Sequence, residues 1–193
     1  MWYEDEADFH LHPHLIRMWM RRGQQRRIAS PGQNRKQPAF GWFNYASGEH
    51  RHHLPLTRKG YSGKNSTEFL VVLVNLVDRA RRTGRRIDLV LDNGPIHTAK
   101  RVQKVLEDPE TRDRLHPVWL PKYCPDLMLQ ERIWKHAKEA GIANVLFTDR
   151  TRLRRQVDRV LSRINRDPDR AFDIVFGRHG RPPANSKYIS ATT

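Results

Sequence analysis

An α/β domain built on a five-stranded mixed sheet flanked by helices is what this sequence predicts, on three observations. The first 56 residues carry short runs with the two-residue alternation of strands, residues 66–82 switch to a helical period, and strand-like and helix-like segments then take turns. The 193 residues, 37% hydrophobic and 30% charged, are enough for one domain with a buried core.

Residues 1–9 alternate, with Tyr3, Asp5, Ala7 and Phe9 on one side and Trp2, Glu4, Glu6 and Asp8 on the other, so Asp5 shares the more apolar face of a strand. A short strand is expected over residues 24–29, followed by a polar Pro/Gly/Asn loop over 30–38. Residues 39–45 and 49–56 flank Ala46-Ser47-Gly48 and read as a hairpin. Apolar positions 69, 70, 73, 74, 76, 77 and 80 give a helix over 66–82, with Ser66 or Thr67 as its cap and Gly84 as its stop. Ile87 to Leu91 is a buried strand between Arg85-Arg86 and Asn93-Gly94-Pro95, with Asp92 at its carboxyl end. A helix over 98–106, a strand over 115–120 and a helix over 129–140 complete a core assigned to residues 1–147. A basic helical extension over 148–176 and a flexible tail over 177–193 follow.

Thirty-six Lys and Arg against 21 Asp and Glu leave a net charge of +15, which points to a polyanionic partner, DNA or RNA first. Cys124 is the only cysteine, so no internal disulfide or Cys-based zinc site can form, and a reducing cytoplasm fits. Acidic residues stand at the start where a signal peptide has basic ones, and no apolar run approaches the ~20 residues of a membrane span.

Three carboxylates stand out. Asp92 lies at a strand's carboxyl end, where α/β sheets gather functional groups, although Asp-Asn-Gly-Pro also makes turns for backbone reasons alone. Asp5 on a strand and Glu131 on a helix can converge with it, and an all-oxygen ligand set suits Mg²⁺ or Mn²⁺. Two such ions would serve an in-line phosphoryl displacement.

The segments Tyr3-Glu4-Asp5-Glu6-Ala7-Asp8-Phe9, Leu89-Val90-Leu91-Asp92-Asn93-Gly94-Pro95-Ile96-His97 and Leu120-Pro121-Lys122-Tyr123-Cys124-Pro125-Asp126-Leu127, with Glu131-Arg132-Ile133-Trp134 after them, resemble the signature blocks of mariner-type bacterial transposases of the insertion sequence 630 group. The resemblance extends to about residue 140. It implies a ribonuclease H-like fold and a DDE catalytic triad of Asp5, Asp92 and Glu131 that binds two Mg²⁺ or Mn²⁺ ions. It also implies cleavage of double-stranded DNA at transposon ends, strand transfer to target DNA, a homodimer on DNA, and no organic cofactor. The setting would be the bacterial cytoplasm, at the nucleoid when bound. Relatives carry helix-turn-helix modules upstream, a region expected to lie outside this chain.

The pattern departs from the family at Met128-Leu129-Gln130, where Asn-Pro-Ile is usual; the change removes a helix cap and a favoured first-turn residue, and Asp126 is the substitute cap. Glu6, Asn93 and His97 are candidate accessory residues. Arg85, Arg86, Lys100, Lys122, Arg152, Arg154 and Arg155 are candidate phosphate contacts, set against a reading as solvated charge. His10, His12 and His14 alternate as zinc ligands could, but Pro13 breaks the strand they would need. His52 and His53 are expected to be exposed or to touch phosphate, and Trp42, Trp119 and Trp134 to fill the core. The rival functions are another ribonuclease H-like nuclease and an inactive transposase that only binds DNA.

Overall fold

The computed structural model describes residues 1–30, 32–57, 61–122 and 124–177. Their elements run β1 (Trp2–His10), β2 (Lys36–Asn44), β3 (His50–His53), α1 (Ser66–Thr83), β4 (Ile87–Leu91), α2 (Lys100–Glu107) and α3 (Pro109–Arg114). Then come β5 (Leu115–Trp119), α4 (Gln130–Ala137), α5 (Arg150–Asn165) and α6 (Pro168–Phe176).

The strands form one sheet in the order β3-β2-β1-β4-β5. β1, β2 and β3 pair antiparallel, and β1, β4 and β5 pair parallel, so the expected mixed five-stranded sheet is present. β1 is central and is covered on both sides. Trp2 joins Phe40, Phe69, Leu73 and Leu89 in a core beneath α1 and α2. Ala7 and Phe9 join Phe43, Ile133, Trp134 and Leu161 in a second core beneath α4, α5 and α6. Burial of each such large side chain contributes about 1.5–3 kcal/mol.

α1 is the best-terminated helix. The Asn65 side chain accepts from the Thr67 and Glu68 amides at 2.9 and 3.2 Å, so the cap lies one residue before the expected Ser66 or Thr67. Gly84 closes the helix in the left-handed region, at φ 64°, a conformation glycine adopts without steric cost.

Several expectations change. Residues 24–29 form no strand; they are exposed apart from a half-buried Ile28 and have no apolar face to bury. The helix expected from Thr98 starts at Lys100, and a separate α3 follows because Pro109 permits a new first turn but not a continued one. The helix expected over 129–140 is α4 plus one π-helical turn, Lys138–Ile142. Asp126 lies in a short 3₁₀ turn and α4 has no side-chain cap. The extension from residue 148 is helical, as α5 and α6, and its Leu153, Val157, Leu161, Ile164, Ala171 and Val175 belong to the same core as Phe9 and Phe43. The tail beyond residue 177 lies outside the described residues.

Candidate metal centre

The parallel pairing of β1 and β4 sets Tyr3 beside Val90. Two residues further along each strand stand Asp5 and Asp92, so strand register alone brings these carboxylates to neighbouring places at the sheet's carboxyl end. Glu131, in the first turn of α4, supplies the third. All three line one cleft of about 380 Å³ with Asn93, Lys122 and Met128. Among the described residues, no three His, Cys, Asp or Glu side chains are arranged to hold an ion as they stand; the carboxylates share a wall without closing on one point.

Their electrostatics differ. The Asp5 carboxyl is pushed up to about 7, first by burial and then by the charges of Glu6, Glu4 and Glu131, against the pull of a hydrogen bond from the Glu6 amide. A bound cation would relieve that cost, so the oxygen donors and their mutual repulsion fit a hard divalent ion.

Asp92 is held below the usual carboxylate range, chiefly by its hydrogen bond with His97 and further by the Gly94 amide. His97 Nδ1 donates to Asp92 Oδ1 at 2.7 Å and the Gly94 amide to the same oxygen at 2.8 Å, so both bonds fall on one oxygen. Nδ1 thereby carries a proton. The other nitrogen, Nε2, lies 3.0 Å from Glu4 Oε2 and 3.7 Å from Glu6 Oε2. Burial opposes a charge on this imidazole, but bonds to Asp92 and Glu4 with the Glu4 and Glu6 charges outweigh it and raise His97 to about 11. It is an imidazolium at neutral pH, donating from both nitrogens.

Glu4 is the residue sequence reasoning missed. Alternation placed it on the polar side of β1, yet it is fully buried, with Oε1 lacking a hydrogen-bond partner. Burial pushes its carboxyl up to about 7, against the bond and charge of His97. The missing signal was that both faces of a central strand are covered, so a glutamate on either face needs an internal partner. Glu6, expected as an accessory to the triad, stands with His97 and with Lys64, 4.0 Å away. Asn93 Nδ2 donates to the Leu120 carbonyl at 2.5 Å, tying the segments after β4 and β5 together.

The basic candidates disperse. Lys122 lines the cleft. Lys100 is exposed at the start of α2, while Arg85 and Arg86 precede β4, at the opposite end of that strand from Asp92. On α5, Arg152 and Arg155 are exposed, but Arg154 donates to the Pro55 carbonyl at 3.2 Å. His52 and His53 are engaged internally, by Asp158 at 3.0 Å and Glu68 at 2.7 Å. Trp42 and Trp134 are buried, and Trp119 packs at the edge of its core.

Residues 1–154 match the family described as DDE superfamily endonuclease. A protein of Shigella sonnei, "Insertion element IS630 uncharacterized 39 kDa protein", is 32% identical over 135 residues, which cover 70% of this chain and 36% of that protein. Among solved structures, the Mos1 mariner paired-end complex with Mn aligns at TM-score 0.59 and 18% identity, covering 93% of this chain and 56% of that one. A pre-cleavage Mos1 transpososome aligns at 0.59 and 19% identity, covering 90% and 54%. At these identities the likeness is one of fold, and it agrees with a ribonuclease H-like sheet. The chain spans about a third of the Shigella sonnei relative and about half of each Mos1 chain.

Proposed function

Because the chain belongs to the DDE superfamily endonucleases, we propose that it is the catalytic domain of a transposase of the insertion sequence 630 group, cutting DNA at transposon ends and joining the freed 3′ hydroxyl to target DNA. The observation that carries this reading is that Asp5, Asp92 and Glu131 line one cleft, from three segments far apart in sequence and in the family's order.

Asp5, Asp92 and Glu131 would hold two divalent ions, Mg²⁺ or Mn²⁺, which when bound activate the nucleophile and stabilise charge on the transferring phosphoryl group. The chain's own groups prepare that site. His97 takes one oxygen of Asp92 and leaves the other for coordination. Glu4 and Glu6 keep His97 charged, which holds Asp92 ionised and oriented. Lys122, on the cleft wall, would meet a DNA phosphate, and exposed Arg152 and Arg155 would extend a basic surface for double-stranded DNA. Water and then the DNA 3′ hydroxyl serve as successive nucleophiles, with the protein acting as a homodimer on paired ends.

The test is cleavage of terminal-repeat duplex in Mg²⁺ or Mn²⁺ by the protein joined to a DNA-binding portion. Asp92→Ala should lower cleavage to background and abolish Mn²⁺ binding; unchanged cleavage would overturn the assignment. Preferential cutting of an RNA–DNA hybrid would favour a ribonuclease H instead.

A further inference from the structure

α4 begins without a cap, and the residue before Glu131 is a buried glutamine. Gln130 is 0% exposed, an unusual place for a primary amide unless it has an internal partner. Two features receive it. Gly41 of β2 lies directly opposite Asp5 in the antiparallel register; a Cβ there would stand 2.4 Å from Gln130 Nε2 and 2.6 Å from the Trp134 ring. Only glycine lets α4 approach the sheet this closely. The second feature is His50 of β3, also fully buried, with Nε2 3.2 Å from the Gln130 amide.

His50 is itself fixed from α5. Turned so that its nitrogen lies 3.0 Å from each of the Leu161 and His50 carbonyls and donates to His50 Nδ1 at 2.6 Å, the Asn165 amide accepts from His52 Nδ1 at 2.9 Å. His50 then carries its proton on Nε2, pointing at Gln130. The Gln130 oxygen is buried without a hydrogen-bond partner among the described residues; with the amide turned, that oxygen would accept from His50 Nε2 across the same 3.2 Å contact. His52 continues the chain to Asp158, 3.0 Å away on α5.

From this arrangement we infer that Gln130 is a positioning residue: seated on Gly41 and bonded to His50, it sets where the first turn of α4 stands against β1, and hence how far Glu131 lies from Asp5. The seat takes the place of the missing helix cap. Gly41 belongs to the residue pair that contains Asp5, and Gln130 adjoins Glu131, so one contact joins the supports of two carboxylates. The inference rests on the metal-site reading above.

Gln130→Met keeps the volume of the seat and removes the amide. The full chain and this variant are compared by thermal melting, by hydrogen exchange of the Glu131 to Trp134 amides, and by Mn²⁺ titration followed by electron paramagnetic resonance. The variant should melt within a few degrees of the parent, exchange those amides faster, and bind Mn²⁺ roughly tenfold or more weakly, as loss of a ligand's support commonly does. Gln130→Met added to His50→Leu should weaken Mn²⁺ binding no further than either change alone, because both break one bond. Parent-like Mn²⁺ affinity in Gln130→Met overturns the inference whatever the exchange shows. If the parent binds no Mn²⁺, the metal-site reading fails on its own account; exchange then decides the anchoring of α4, with unchanged rates overturning it and faster rates upholding it.

Discussion

The two faces of the sheet support the carboxylate cleft by different physics. Beneath α1 and α2 the buried polar cluster is ionic: His97 sits among Glu4, Glu6 and Asp92, with the Phe69 ring steeply inclined to its own and the two centroids 4.6 Å apart. Beneath α4 and α5 the buried polar groups nearest the helix start are His50, Gln130 and Asn165. Burial, with the charge of His52, lowers His50 to about 3, so it stays neutral. The ionic cluster holds one carboxylate directly, whereas the neutral chain holds only the helix that bears another. Removing one member should therefore cost far more on the ionic side, where a buried charge is left behind.

His97→Ala is the strongest way to break this contrast. It strands Glu4, and urea unfolding at pH 7 should show a loss of about 3–5 kcal/mol, with part of the stability returning when Glu4→Gln is added. A loss under about 1 kcal/mol would place the cluster with ordinary surface ion pairs. The same cluster predicts a pH window. A histidine raised to about 11 contributes stability fully present below its unfolded value of about 6.5 and lost as pH rises through 11.

Asp5 gives a smaller effect, and its substitution acts in the opposite direction to His97→Ala. Its carboxyl is raised from 3.8 to about 7, so the folded state binds more protons than the unfolded one and metal-free stability falls as pH rises through that interval. Asp5→Asn should melt above the parent at pH 8 and lose the advantage near pH 4. Mn²⁺ should raise the parent's melting temperature and leave the variant's unchanged. A variant that melts below the parent at pH 8 would remove carboxylate repulsion as a feature of this site. The smallest effect concerns helix starts: Asn65→Ala, which removes the α1 cap, should cost about 1 kcal/mol by chemical denaturation, without changing Mn²⁺ affinity.

Much of this was legible in the sequence. Ile87 to Leu91 was readable to the residue because β-branched apolar residues lie between turn formers, and the three ordered blocks pointed to Asp5, Asp92 and Glu131, which line one cleft. What was not legible depends on partners distant in the chain. Glu4 reads as a polar-face residue until β1 is known to be central. Gln130 reads only as part of the departure at Met128-Leu129-Gln130 until Gly41 and His50 are known to lie beside it. Arg154 reads as a phosphate contact until the Pro55 carbonyl is found beside it. Periodicity reports local faces, and each of these residues is defined by a contact across many tens of residues.

The strand order β3-β2-β1-β4-β5 also dictates a sequence of assembly. β1, β2 and β3 are neighbours in the chain as well as in the sheet, with a short link between β2 and β3 and a longer one over residues 11–35 between β1 and β2, while β4 must return across α1 to reach β1 and α4 arrives later still. Asp5 can thus be seated in a formed meander before Asp92 and Glu131 join it, and the two additions bring like charge toward a carboxylate already crowded by its neighbours. The cleft is where folding brings like charges together, so a divalent ion bound there would lock the step that completes it.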